Sequence, residues 1–131
     1  MTKKEISNSI IKICTERIDS AELLFEAKNY ADSLSRSYYA IFDIVRGMLE
    51  LKGVFAKSHQ GAFAKFYQLY IKEEIIDKKY ALIFPKIEKD REEADYRFDR
   101  DISKNDASNA LEDAKEFFSE VKKYLRTKYI K

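Results

Sequence analysis

Between Ala31 and Lys52 the apolar residues Leu34, Tyr38, Ile41, Phe42, Val45, Met48 and Leu49 fall on one helical stripe. That periodicity admits little except a helix packed against other helices. Arg36, Tyr39, Asp43, Arg46 and Glu50 fall on the opposite side. A line of small residues, Ser33, Ser37, Ala40 and Gly47, runs between the two faces. Small side chains let a second helix approach closely, either from the same chain or from a second subunit.

The same period extends along the chain. A first segment, 4–28, places Ile6, Ile10, Ile13, Ala21 and Leu24 on a wide apolar face, with Ile11, Ile18 and Phe25 alongside and Asn29 as its stop. Gly53 closes the second segment as a C′ glycine does. Ser58 is suited to cap a third helix, with His59 and Gln60 in its first turn and Phe63, Phe66, Tyr67 and Tyr70 on its buried face. That helix fades over 73–77 into a turn or short helix. A fourth segment spans 79–98, with Pro85 starting or kinking it. Ser103 and Asp106 form a capping-box pattern ahead of a fifth, in which Ala107, Ala110, Leu111, Ala114, Phe117, Phe118, Val121, Tyr124 and Leu125 keep the helical period. With three glycines and one proline in 131 residues, and no segment of period two, the expectation is one all-α domain over residues 1–131. Its architecture is an antiparallel bundle of four main helices plus a shorter one.

Several function classes drop out. A net charge of +2 makes no case for nucleic acid by itself. The run from Lys115 to Lys131 carries six basic residues against two acidic ones. Such a bias favours the C-terminal end of a helix dipole and also fits an RNA patch. Cys14, the single cysteine, sits among isoleucines and reads as a core residue; it provides neither a disulfide nor a metal cluster. A lone histidine, His59, argues against a zinc site or a catalytic triad. No phosphate-binding glycine loop occurs. Without a signal-peptide pattern or an apolar run near 18 residues, a cytoplasmic protein that needs no cofactor or metal and touches no membrane is expected.

The candidate site residues have two readings each. Arg36 and Asp43 are seven residues apart, so they point the same way at about 10 Å along the helix axis. They form a functional face, or they make local surface pairs, Asp32 with Arg36 and Asp43 with Arg46. His59 is a solvated first-turn residue or an anion contact at a helix N-terminus, with Lys57 nearby. The stretch from Arg91 to Arg97 allows Arg91–Asp95 and Glu93–Arg97 pairs and reads first as a solvated, ion-paired face.

Three motifs, in order, resemble the HEPN family of prokaryotic helical domains. Ser35-Arg36-Ser37-Tyr38-Tyr39-Ala40-Ile41-Phe42 matches an S-R-x-Y-Y-A-x-F core. Lys57-Ser58-His59-Gln60-Gly61 matches K-[TS]-H-x-G, and Arg91, Ala94, Asp95 and Tyr96 match R-x-x-A-D-Y. The resemblance implies a helical bundle, a homodimer formed through the arginine-bearing face, and ribonuclease activity without metal in many members. It also implies a gene partner, a minimal nucleotidyltransferase acting as antitoxin, in some systems by adding AMP to a tyrosine; Tyr38 and Tyr39 are candidates by proximity. Active members carry an arginine followed, after four to six residues, by a histidine. Arg36 fits the arginine, but Asp43 stands at the histidine position. Histidine suits proton transfer near neutral pH, whereas an aspartate, with an unperturbed pKa of about 3.9, stays charged and repels phosphate. The expectation is a non-cleaving or weakly active component of a toxin–antitoxin-like module that binds nucleotide or RNA and a nucleotidyltransferase partner, with Arg36, Tyr39 and Asp43 lining a dimer cleft and Arg46, His59, Asp95 and Tyr96 at the ligand site or cleft. The alternative is a metal-independent endoribonuclease using Arg36 with an altered acid–base set that includes Asp43, His59 or the Asp95–Tyr96 region.

Overall fold

The computed structural model describes residues 1–96 and 101–130. Among them the helices are α1 (Lys3–Glu26), α2 (Tyr30–Glu50), α3 (His59–Phe66), α4 (Ile83–Tyr96) and α5 (Lys104–Lys128), and there is no strand. The fold is all-α, with four longer helices and the short α3, as the periodicity requires. The expected continuation of the fourth segment to 98 and the pairing of Glu93 with Arg97 fall outside the described residues.

Helix starts are set by side chains that take up free N–H groups. Thr2 with Glu5, and Ser103 with Asp106, form reciprocal capping boxes. Ser58 Oγ accepts the Gly61 N–H at 2.9 Å. Helix α2 closes on Gly53, whose φ of +67° lets the Val54 N–H reach the Leu49 carbonyl at 3.0 Å. The end of α1 departs from expectation. Lys28, not a glycine, takes the left-handed conformation at φ 64°, so the Asn29 N–H bonds back to the Leu24 carbonyl at 2.8 Å. Asn29 therefore leads into α2 rather than merely stopping α1. After α3 the chain makes a π turn over Tyr67–Ile71 and a 3₁₀ turn over Lys78–Leu82. Pro85 lies in the first turn of α4 and starts that helix, since its missing N–H has no carbonyl to meet there.

Helix α2 lies at the centre and its small-residue line receives α1. Ser33 Oγ donates to the Ala21 carbonyl at 2.8 Å, and Cys14 Sγ lies 3.7 Å from the Ala40 carbonyl. A Cβ on Gly47 would stand 2.4 Å from Ile10 Cγ1. These pairs run in opposite order along the two helices, so α1 and α2 are antiparallel. The helix filling the line belongs to the same chain, and no second subunit is needed there. Ile13, assigned to the core by spacing, is 43% exposed; its neighbour Cys14 is buried instead. On the far side, Phe117 from α5 gathers Tyr80, Phe66 and Phe84 at ring-centroid distances of 5.5, 5.6 and 5.6 Å. Full burial of each such ring contributes about 1.5–3 kcal/mol, and together they anchor α3, α4 and α5 behind α2.

Candidate functional site

Tyr38 of α2 has no exposed surface, and α3 and α4 converge on it. Its hydroxyl lies 2.5 Å from His59 Nδ1 at the start of α3. The Arg91 guanidinium of α4 sits over its ring, 4.7 Å from the centroid. Arg91 Nη1 is 3.5 Å from Asp95 Oδ2, and Ser35 Oγ donates to Asp95 Oδ1 at 2.7 Å. The His59 ring also packs on Phe42, with centroids 3.9 Å apart. The three sequence motifs thus meet in one cluster. At 8% exposure, Arg91 is not part of a solvated face. An aromatic ring and a carboxylate replace its water, which is how a buried arginine is accommodated.

Burial, reinforced by the negative charge of Glu88, pushes the Tyr38 phenol up to about 12 against the opposing pull of Arg91. Tyr38 is therefore protonated at neutral pH. Its O–H donates to Nδ1 when that nitrogen carries no proton. When the imidazole is doubly protonated the bond reverses, with Nδ1–H donating to the phenol oxygen. Tyr38 holds His59 in either state.

The remaining candidates separate into two depressions. Arg36 is exposed and shares a shallow pocket of about 370 Å³ with Asp32, Ser35, Tyr39 and Asp95. Asp43, Arg46 and His59 lie on a second, larger groove of about 800 Å³ whose apolar wall includes Ile10, Ile13 and Phe42. Arg46 reaches over Phe42, 5.7 Å from the ring centroid. Tyr96, 71% exposed at the end of α4, lies in neither. Arg36 and Asp43 share the outer face of α2, yet do not line one depression.

Asp43 does not rely on Arg46. Its Oδ2 accepts from Arg17 Nε of α1 at 3.0 Å, with the carboxylate side chain 17% exposed and the arginine 39%. Arg17 belongs to none of the three motifs. A contact between helices distant in sequence leaves no trace in spacing, so nothing short of the fold pairs 17 with 43. Arg91 is different: its R-x-x-A-D-Y pattern marks it, but only the packing reveals that it is buried.

A helical bundle whose S-R-x-Y-Y, K-S-H and R-x-x-A-D-Y segments close on one tyrosine defines a class, and the family comparison agrees. The HEPN domain model matches residues 8–124. The chain belongs to the HEPN domain family. Among curated relatives, "Putative toxin MJ0605" of Methanocaldococcus jannaschii is 32% identical over 94% of this chain and 91% of its own length. "Putative toxin MJ0142" of the same organism is 29% identical over 98% of this chain and 86% of its own. The UPF0332 protein PH1297 of Pyrococcus horikoshii is 37% identical over 54% of this chain and 50% of its own. The chain is thus a HEPN-domain member similar to proteins named as toxins. No helix among the described residues is long and apolar enough to cross a membrane.

Proposed function

We propose that this chain is the HEPN component of a toxin–antitoxin-like module, binding RNA or a nucleotide along the outer face of α2 without cutting it. In this reading the chain works as a homodimer with Arg36, Tyr39 and Asp43 lining the cleft, alongside a minimal nucleotidyltransferase partner. The observation that carries it is the Arg17–Asp43 ion pair at the position where active family members have histidine. Cleavage without metal needs a group that takes and returns a proton near neutral pH. The Asp43 carboxylate is instead committed to an arginine, its Oδ2 accepting the Arg17 Nε–H. His59 is no ready substitute, because it lies past the end of α2, at the start of α3, with its Nδ1 engaged by Tyr38. Arg36 is exposed, has no ion-pair partner among the described residues, and can meet a phosphate.

The test is an RNA cleavage assay in EDTA with wild type, Asp43→His and Arg36→Ala, alongside binding of the same RNA. Wild type is expected to bind without cutting, and Arg36→Ala to bind more weakly. Asp43→His is expected to gain cleavage that a second Arg36→Ala change removes. Wild-type cleavage lost on Arg36→Ala alone would instead establish the endoribonuclease reading.

A further inference from the structure

We infer that Arg17 is an anion-binding residue of the α2 face and that Asp43 is the residue that positions it. This rests on the reading of that face as a site for RNA or nucleotide. The Arg17 guanidinium has five N–H donors, and only Nε–H is spent, on Asp43 Oδ2 at 3.0 Å. No other partner of Arg17 is found among the described residues. Asp43 lies beneath, 17% exposed, and Arg17 lies outward, 39% exposed. An arginine anchored at Nε keeps its two Nη groups as a fork, the geometry that receives two phosphate oxygens. Fixing the side chain in advance also lowers the entropy lost on binding.

The pair also changes the electrostatics of the face. Seen alone, Asp43 repels phosphate. Paired, it contributes no net charge with Arg17 and orients a dipole with its positive end towards solvent. Arg46 lies three residues beyond Asp43 on the same exposed side, and Arg36 two turns before it. Arg17 thereby brings a third cation from α1 to the middle of a face that α2 supplies with two. The replacement of histidine by aspartate then exchanges a proton carrier for an arginine anchor.

Double-mutant binding measurements separate this from simple repulsion. Fluorescence-anisotropy titrations would use a single-stranded RNA oligonucleotide and, separately, a labelled adenine nucleotide, which tells a polymer backbone from a free phosphate ester. Arg17→Ala is expected to weaken binding roughly tenfold, as loss of a charged hydrogen-bonded contact does. For RNA it should also lower the slope of log affinity against log salt by about one. Arg17→Lys should recover only part, since an ammonium keeps the charge but not the fork. Asp43→Ala gives the deciding sign. It should weaken binding in the wild-type background, where it frees Arg17, and strengthen it in the Arg17→Ala background, where the carboxylate only repels. Strengthening by the same factor in both backgrounds would overturn the inference. So would unchanged binding by Arg17→Ala while Arg36→Ala weakens it, leaving the RNA reading intact. If wild type binds neither probe, the reading of the face falls and this inference with it. A ligand-free readout is the Nε–Hε resonance of Arg17 in NMR, expected in slow exchange in wild type and lost in Asp43→Ala; its presence in both would show that Asp43 does not hold Arg17.

Discussion

The hydroxyl of Tyr38 is a single polar atom in an otherwise sealed position, so phenylalanine removes one hydrogen bond and almost no volume. The bond to His59 Nδ1 is lost, while the ring stays beneath Arg91. A typical bond of this kind contributes about 0.5–1.5 kcal/mol net. His59 is only half-buried, so water can replace the phenol, and Tyr38→Phe should cost about 1 kcal/mol. Arg91→Ala removes the cation over the ring and the ion pair with Asp95 and empties a buried position, which should cost about 2–3 kcal/mol, with Asp95 itself staying in water. Urea denaturation of the two variants checks the order, and equal losses would mean that the hydroxyl, not the guanidinium, organises the cluster. At this scale the sequence displays three motifs but not their meeting point. Tyr38 reads as one member of an apolar stripe, and its neighbour Tyr39 as the polar-face tyrosine. That the R-x-x-A-D-Y arginine covers the first of these is a fact of packing, as is the reach of Arg17 to Asp43.

Helix α1 rests against α2, and Gly47 is where a side chain has no room. An alanine Cβ there would lie 2.4 Å from Ile10 Cγ1 and 2.7 Å from Cδ1, so Ile10 must move or the helices must part. Alanine gains up to about 1 kcal/mol over glycine in helix propensity. Overpacking a close contact costs about 1–3 kcal/mol. The clash involves the branch near the root of Ile10 and not merely its tip, so Gly47→Ala should lose about 1–2 kcal/mol overall. Pairing it with Ile10→Ala should make the two changes less than additive, because the second supplies the space that the first needs. A Gly47→Ala protein more stable than wild type in thermal melts would mean the helices do not approach this closely. Element ends were legible where a side chain or a glycine marks them, at Ser58, at Ser103 with Asp106, and at Gly53. They were less so at Lys28, because nothing about a lysine announces a left-handed turn. Ile13 misled for a related reason. Its spacing fits a wide apolar face, but the contact with α2 is narrow and admits Ile10, Cys14, Ile18 and Ala21 in its place.

Across the whole molecule the apolar period fixes what lies inside, and that interior encloses several phenols. Tyr38 on α2, Tyr70 in the π turn, Tyr80 in the 3₁₀ turn and Tyr124 on α5 all have raised pKa values, burial being the first cause in each. For Tyr38 and Tyr124 the phenol is pushed up to about 12. Burial likewise pushes the Cys14 thiol up to about 12. Nine tyrosines spread over the chain say little about pH until burial sorts them; the helical period places Tyr38, Tyr70 and Tyr124 on apolar stripes correctly but also places Tyr67 there, which is 46% exposed. The consequence has a definite sign. An unfolded tyrosine loses its proton near pH 10, while the buried ones hold theirs to higher pH. Between about pH 10 and 12 the native state binds more protons than the unfolded state, so stability falls as pH rises. The thiol adds to the fall from about pH 8.5, where an unfolded cysteine begins to ionise. Stability is therefore expected to be unaffected by these groups at neutral pH and to drop progressively through the alkaline range, ending in cooperative unfolding. Urea midpoints measured from about pH 8 upward give the slope, and tyrosinate absorbance gives the event: exposed phenols titrate first, and the buried set appears together as the helical signal is lost. Tyr38→Phe should make the slope shallower by removing one of the contributors. Smooth ionisation of all the tyrosines near pH 10 with the helices intact would mean that solvent reaches the interior, and that α2 is not enclosed as the packing of Tyr38 and Tyr70 requires.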